Sequence, residues 1–344
     1  MNFSFIKKKI FNFPDDTCEG PFKIIKSNNF LYSDGECDIK CINMKTNKTN
    51  FVLENEYLAE PFFGLVNELK LIVKPNESKV SLYQINEDLS ECKKIKDLKI
   101  KGFQIARSLS NKGYIIGCEE KILVYNSQNE LESSFGTKFN FFGFDFHVTP
   151  PFEIQLKSEK NNLLVFPMDS NKTNIYLRNS FKNVMNVHSK INDALDMEDG
   201  NIILACEEKL CLVRPNTYKV EYEVECPQIE EDLIYYYPHE FHDIFVFKDN
   251  IFVTISGLSN HTDNRFLVSF WNYNFSKKDK LENIQCLKFD EYYLMIGKEN
   301  LLIMDDDNSI IQLSIKKIKG KAKNIVETTT VSEFNKKRKK KKIK

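Results

Sequence analysis

Few of the chain's histidines, carboxylates and thiols are spaced as chemistry would need them. The densest grouping is Pro238-His239-Glu240-Phe241-His242-Asp243. Two histidines four apart on a helix can share one zinc ion. Here they are three apart in a strand-rich neighbourhood, where His239 and His242 would point to opposite faces, and an exposed connection between strands is the better reading. Asp305-Asp306-Asp307 offers hard oxygen ligands of the kind Mg²⁺ or Ca²⁺ takes, but three acids between apolar runs also make a polar turn, and we read them so. Cys118-Glu119-Glu120-Lys121 recurs 88 residues later as Cys206-Glu207-Glu208-Lys209 and invites a nucleophile reading. The adjoining Glu119 and Glu207 disfavour a thiolate, because nearby anions raise a thiol pKa. Both cysteines are therefore assigned to core packing.

No G-x-x-x-x-G-K-[ST], G-x-G-x-x-G or G-x-S-x-G sequence is present, so nucleotide-binding and serine-hydrolase chemistry lack their usual anchors. No catalytic, metal or cofactor-binding residue is assigned, and the chain reads as a non-enzyme. The nine cysteines are scattered and none forms a C-x-x-C pair, which fits reduced thiols inside a cell. Charges interrupt every apolar run well before the ~18 residues of a membrane span, and the N-terminal MNFSFIKKKIFNF has no apolar signal core. The sequence thus predicts neither secretion nor a transmembrane segment.

The zero formal charge hides an asymmetry. Residues 316–344 hold 13 basic and two acidic residues, leaving 36 basic against 47 acidic in 1–315, a net of −11. The end of the chain concentrates Lys336, Lys337, Arg338, Lys339, Lys340, Lys341, Lys342 and Lys344. Such density repels itself and cannot form a core, so residues 316–344 are expected to be a disordered tail. Runs of this kind direct nuclear entry or contact phosphate backbones. The acidic body instead suits basic protein partners. A polybasic membrane anchor would need a second signal, and none is visible.

The elements that must carry these residues follow from a repeat. An apolar strand, a short polar turn and a second alternating strand recur seven times, with second strands starting at Ile39, Val80, Ile122, Ile175, Leu210, Val268 and Leu301. The steps are 41, 42, 53, 35, 58 and 33 residues. Ile310 or Ile311 competes with Leu301 as the last anchor. Alternation over four to six residues with β-branched and aromatic side chains argues half-buried strands joined by hairpins. Residues 180–197 are the best candidate for a short helix or connection. Residues 3–13 are expected to pair near SIIQLSI, residues 309–315.

A unit of roughly 40–45 residues repeated about seven times resembles the WD-repeat family of β-propellers, with Tyr125-Asn126 and Trp271-Asn272 at the positions where that family's third strand ends in an aromatic residue and Asp. The departures are the missing Gly-His dipeptide, Asn or Gln in place of Asp, and few glycines. The resemblance implies an all-β, seven-bladed propeller over residues 1–315. With the tail, it resembles nucleolar WD-repeat factors and implies a scaffold in ribosome assembly, in a multi-subunit complex and with RNA on the tail. The alternative is a cytoplasmic adaptor in vesicle trafficking or a ubiquitin-ligase complex.

Overall fold

The computed structural model describes residues 2–12, 18–25, 29–34, 38–54, 62–67, 69–76, 79–118, 120–136, 151–156, 162–168, 172–214, 217–227, 240–248, 250–260, 263–274, 281–289, 293–296, 300–305 and 309–318. Among the described residues every element is a β-strand, and the strands form seven four-stranded sheets. The chain divides into two compact units, residues 11–191 and residues 1–10 with 192–344.

After β1 (Asn2–Asn12), which belongs to the second unit, the first unit holds four sheets built from consecutive strands. These are β2 (Cys18–Ile25), β3 (Asn29–Asp34), β4 (Ile39–Asn43) and β5 (Lys48–Leu53); then β6 (Phe62–Asn67), β7 (Lys70–Asn76), β8 (Lys79–Ile85) and β9 (Cys92–Leu98). They continue with β10 (Phe103–Ser108), β11 (Tyr114–Cys118), β12 (Lys121–Tyr125) and β13 (Leu131–Gly136), followed by β14 (Phe152–Ile154), β15 (Leu163–Met168), β16 (Lys172–Leu177) and β17 (Asn183–Val187). The second unit holds β18 (Ile191–Asp196), β19 (Ile202–Cys206), β20 (Lys209–Arg214) and β21 (Lys219–Glu225), then β22 (Glu240–Lys248), β23 (Ile251–Asn260), β24 (Asp263–Tyr273) and β25 (Leu281–Phe289). Its last sheet joins β26 (Tyr293–Ile296), β27 (Asn300–Asp305) and β28 (Ser309–Ile318) to β1, in the order β26-β27-β28-β1. The N-terminal strand therefore lies beside SIIQLSI, as the sequence predicts.

Among the described residues, burial falls from the second strands to the fourth. The second strands β11 and β19 are buried at every residue, whereas the fourth strand β21 alternates between exposed and half-buried positions. In the first unit Ile72, Leu82, Ala106, Tyr114, Ile116 and Leu123 pack between the second and third sheets. In the second, Ile203, Leu212, Ile244, Phe252 and Trp271 do the same between its first two. The Trp271 indole N–H donates to Thr254 Oγ1 at 2.8 Å, pinning β24 to β23. Between the same two sheets, the Tyr273 hydroxyl donates to Asp199 Oδ2 at 2.5 Å and accepts from Asn201 Nδ2 at 3.0 Å. Burial first, and then that bond to Asp199, push the Tyr273 phenol well above its ordinary range.

The repeated Cys-Glu-Glu-Lys segments occupy equivalent hairpins two sheets apart. Gly117 pairs with Ile122 between β11 and β12, and Ala205 pairs with Leu210 between β19 and β20. Six of the seven predicted anchors fall on third strands, β4, β8, β12, β16, β20 and β24. The seventh does not. Leu301 lies on β27, the second strand of its sheet, and Ile310 is the anchor on the third, which changes the step after Val268 from 33 to 42 residues.

Residues 180–197, the candidate for a short helix or connection, hold β17, β18 and the link between their two sheets; cross-strand pairing of Ile175 with Met185 and burial of Val187 and Ile191 favour strands over a helix. The polar stretch before Val268 is largely strand: β23 and β24 pair out to Asn260 and Asp263.

Few glycines suffice because other residues take the left-handed positions. The turn between third and fourth strands carries Asn47, Leu89, Asn129, Phe181 or Tyr218 at φ between 50° and 67° in five of the sheets. In three of these turns, the Asn47, Phe181 and Tyr218 amides each bond back to the carbonyl four residues earlier, at 2.7–2.9 Å.

Candidate functional site

Neighbouring hairpins of the third and fourth sheets of the first unit enclose an open cleft of about 510 Å³. Ser110 and Asn111 come from the β10–β11 turn, Glu132 from β13, Glu153 from β14, Asn162 from the start of β15, and Arg178, Asn179 and Phe181 from the β16–β17 turn.

Local folding fixes each group. Glu153 Oε2 accepts from the Ser110 amide at 2.6 Å and Oε1 from Asn162 Nδ2 at 2.9 Å, while Asn162 Nδ2 also donates to Ser110 Oγ at 2.7 Å. This network ties β14 to the β10–β11 turn. The Arg178 amide donates to the Asn162 carbonyl at 2.8 Å, and the Phe181 amide to the Leu177 carbonyl at 2.8 Å. Holding Phe181 at φ 52° costs about 1–2 kcal/mol for a residue with a Cβ. That turn sets its ring 5.4 Å from the Arg178 guanidinium and within 5.5 Å of the Phe135 ring, centroid to centroid.

Arg178 is the centre of the cleft. Its Nη2 donates to Glu132 Oε2 on the neighbouring sheet, its side chain is only 14% exposed, and its Nε is buried without an acceptor. An unmet buried N–H costs about 1–3 kcal/mol, so the guanidinium is held by its ion pair and the Phe181 face rather than by full hydrogen bonding. Two carboxylates against one guanidinium leave the cleft net negative, with the Asn111 and Asn179 amides on its edge. The arrangement presents fixed acceptors to a cation. The anchoring of both carboxylates to donors suits binding rather than proton transfer.

None of these residues stood out in the sequence, because Glu132, Glu153 and Arg178 share no motif. One signal was available: the chain has five arginines among 49 basic residues, and arginine persists in a lysine-rich chain where its planar fork or flat face is needed.

The residues that spacing singled out behave otherwise. Cys118 and Cys206 are buried, and neither is joined in a disulfide. Cys206 Sγ lies 3.7 Å from Cys211 Sγ, and that contact, with burial, pushes the Cys211 thiol far up. Desolvation pushes Cys41 up to about 11 and Cys226 up to about 12. Neutral thiols of this kind pack rather than attack. Glu240 and His242 lie within strand β22, not in the exposed connection expected from their polarity; His239 is outside the described residues. Asp305 ends β27, and Asp306 and Asp307 are outside the described residues. Among the described residues no three His, Cys, Asp or Glu side chains are grouped to hold a metal. Lys336, Lys337, Arg338, Lys339, Lys340, Lys341, Lys342 and Lys344 also lie outside the described residues.

Successive four-stranded antiparallel sheets fit the β-propeller fold. Comparison with solved structures agrees: virginiamycin B lyase from Staphylococcus aureus matches over 91% of this chain and 99% of its own, at a TM-score of 0.53 and 10% identity. BamB from Moraxella catarrhalis covers 86% of this chain and 85% of its own, at a TM-score of 0.48 and 10% identity. At that identity the first likeness is one of fold alone. No family model matches the chain, and no curated protein matches it in sequence.

Proposed function

We propose that the seven sheets close into one seven-bladed, WD-repeat-like propeller, and that the protein is a non-catalytic scaffold of the nucleus, in the nucleolus, serving ribosome assembly. The acidic cleft of Glu132, Glu153 and Arg178 receives basic segments of protein partners in a multi-subunit complex, and the Lys-rich tail contacts RNA phosphates. The observation that carries this reading is the separation of charge: a net −11 body with a preformed, net-negative cleft, and a tail with 13 basic residues. Opposite potentials on one chain suit particles in which basic proteins and RNA meet.

Two measurements test it. Residues 316–344 fused to a fluorescent reporter should concentrate in the nucleolus; a uniform cytoplasmic signal overturns the compartment and returns the cytoplasmic adaptor. The full chain and its Glu132→Gln/Glu153→Gln variant, purified from native cells and compared by mass spectrometry, should differ by the loss of basic proteins from the variant. Identical partner sets overturn the cleft's role.

A further inference from the structure

The last sheet brings together two lysine-bearing strands from opposite ends of the chain. Strand β1 reads NFSFIKKKIFN and strand β28 reads SIIQLSIKKI, and they are neighbours in the sheet. Together they contain five lysines and no acid, although residues 1–315 carry eleven more acids than bases. Lys7, Lys8 and Lys9 are exposed, while Ile10 is half-buried, so the strand is anchored just beyond its charged stretch. Strand β1 ends the sheet order, and among the described residues no strand pairs with its far edge in that sheet. Strand geometry puts Lys7 and Lys9 on one face about 7 Å apart, with Lys8 opposite.

From this juxtaposition we infer a second phosphate-contacting site, Lys7-Lys8-Lys9 on β1, that acts with the C-terminal basic run to hold one RNA backbone at two points. The inference rests on the tail's role proposed above. It differs in placing part of the contact on the folded body. Seventeen residues link Ile318, the end of β28, to Lys336, a length that can span about 60 Å when extended, and one bound RNA brings the second contact to high effective concentration. No sequence motif announces the site, because Lys7–Lys9 and the tail stand more than 300 residues apart.

The test uses the full chain and a short unstructured single-stranded RNA, with affinity measured by fluorescence anisotropy over a range of salt. Four proteins are compared: wild type, Lys7→Gln/Lys8→Gln/Lys9→Gln, a deletion of residues 336–344, and the two changes combined. Each phosphate contact to a single strand contributes about 0.7 to the slope of log affinity against log salt. With Lys7 and Lys9 on the contacting face, the triple variant should therefore lower the slope by about 1.4 and weaken binding roughly tenfold or more at low salt, with an unchanged thermal transition. The combined variant should abolish binding. A triple variant with wild-type affinity and slope, in a protein whose binding is lost with residues 336–344, overturns the strip while leaving the tail's role intact. If the lysines serve only to block edge-to-edge pairing, the triple variant will self-associate without losing RNA affinity, which also overturns the strip. Absence of salt-dependent RNA binding by the wild type overturns the tail's role and the strip together.

Discussion

Trp271 is the chain's only tryptophan and is 1% exposed. A buried indole N–H needs an acceptor, and Thr254, itself fully buried on the adjoining strand, supplies one at 2.8 Å. Thr254→Val keeps the side-chain shape and removes that acceptor. It should destabilise the second unit by about 1–3 kcal/mol, read as a lower urea midpoint in the fluorescence of Trp271; an unchanged midpoint would show that the bond carries no net stability. The same logic of satisfaction separates Arg178 from the thiols. The cysteines Cys41, Cys118, Cys206, Cys211 and Cys226 are small buried hydrophobes, whereas the Arg178 guanidinium, at 14% exposure, is met by the Glu132 carboxylate and the Phe181 ring.

At the scale of the element, the hairpin turns decide where the cleft forms. The β10–β11 turn closes at Gly113, where an added Cβ would lie 2.3 Å from the Tyr125 carbonyl oxygen and 2.8 Å from Asn111 Oδ1. The first of these is backbone of a neighbouring strand and cannot swing aside. Gly113→Ala should therefore cost about 1–3 kcal/mol and displace Ser110 and Asn111 at the cleft. Gly136→Ala, at the end of β13 where a Cβ meets nothing within 4 Å, should stay within about 0.5 kcal/mol of wild type. Thermal unfolding of the two variants checks the contrast, and equal transitions would refute it.

At the scale of the whole molecule, both ends of the chain meet in one sheet, so the termini bear on stability as well as on partners. Removing residues 2–12 strips β1 from β28 and exposes a row of unpaired backbone groups along an apolar strand, a template for pairing with another copy. The truncated protein should elute from size exclusion as higher oligomers and unfold at lower temperature; a monomer of unchanged stability would mean that β1 contributes nothing to its sheet. The placing of the Lys7–Lys9 strand next to β28, which leads into the tail, belongs to this scale too, since only pairing within the last sheet brings the two segments together.

The sequence by itself determined the all-β class, the repeat and six of the seven strand anchors, because alternation and hairpin chemistry are local and recur whenever a sheet needs one more buried face. It also determined the opposition between acidic body and basic tail, since charge is additive along a chain. Tertiary structure alone decided that residues 183–187 and 191–196 are strands, that Ile310 is the anchor on the seventh third strand, and that Glu240 and His242 stand inside β22. It alone assembled Glu132, Glu153 and Arg178, which lie 21 and 25 residues apart along the chain and meet only because neighbouring sheets bring one hairpin against the next. Pairing partners and contacts between sheets are long-range properties, and a local pattern carries no record of which distant strand will satisfy it.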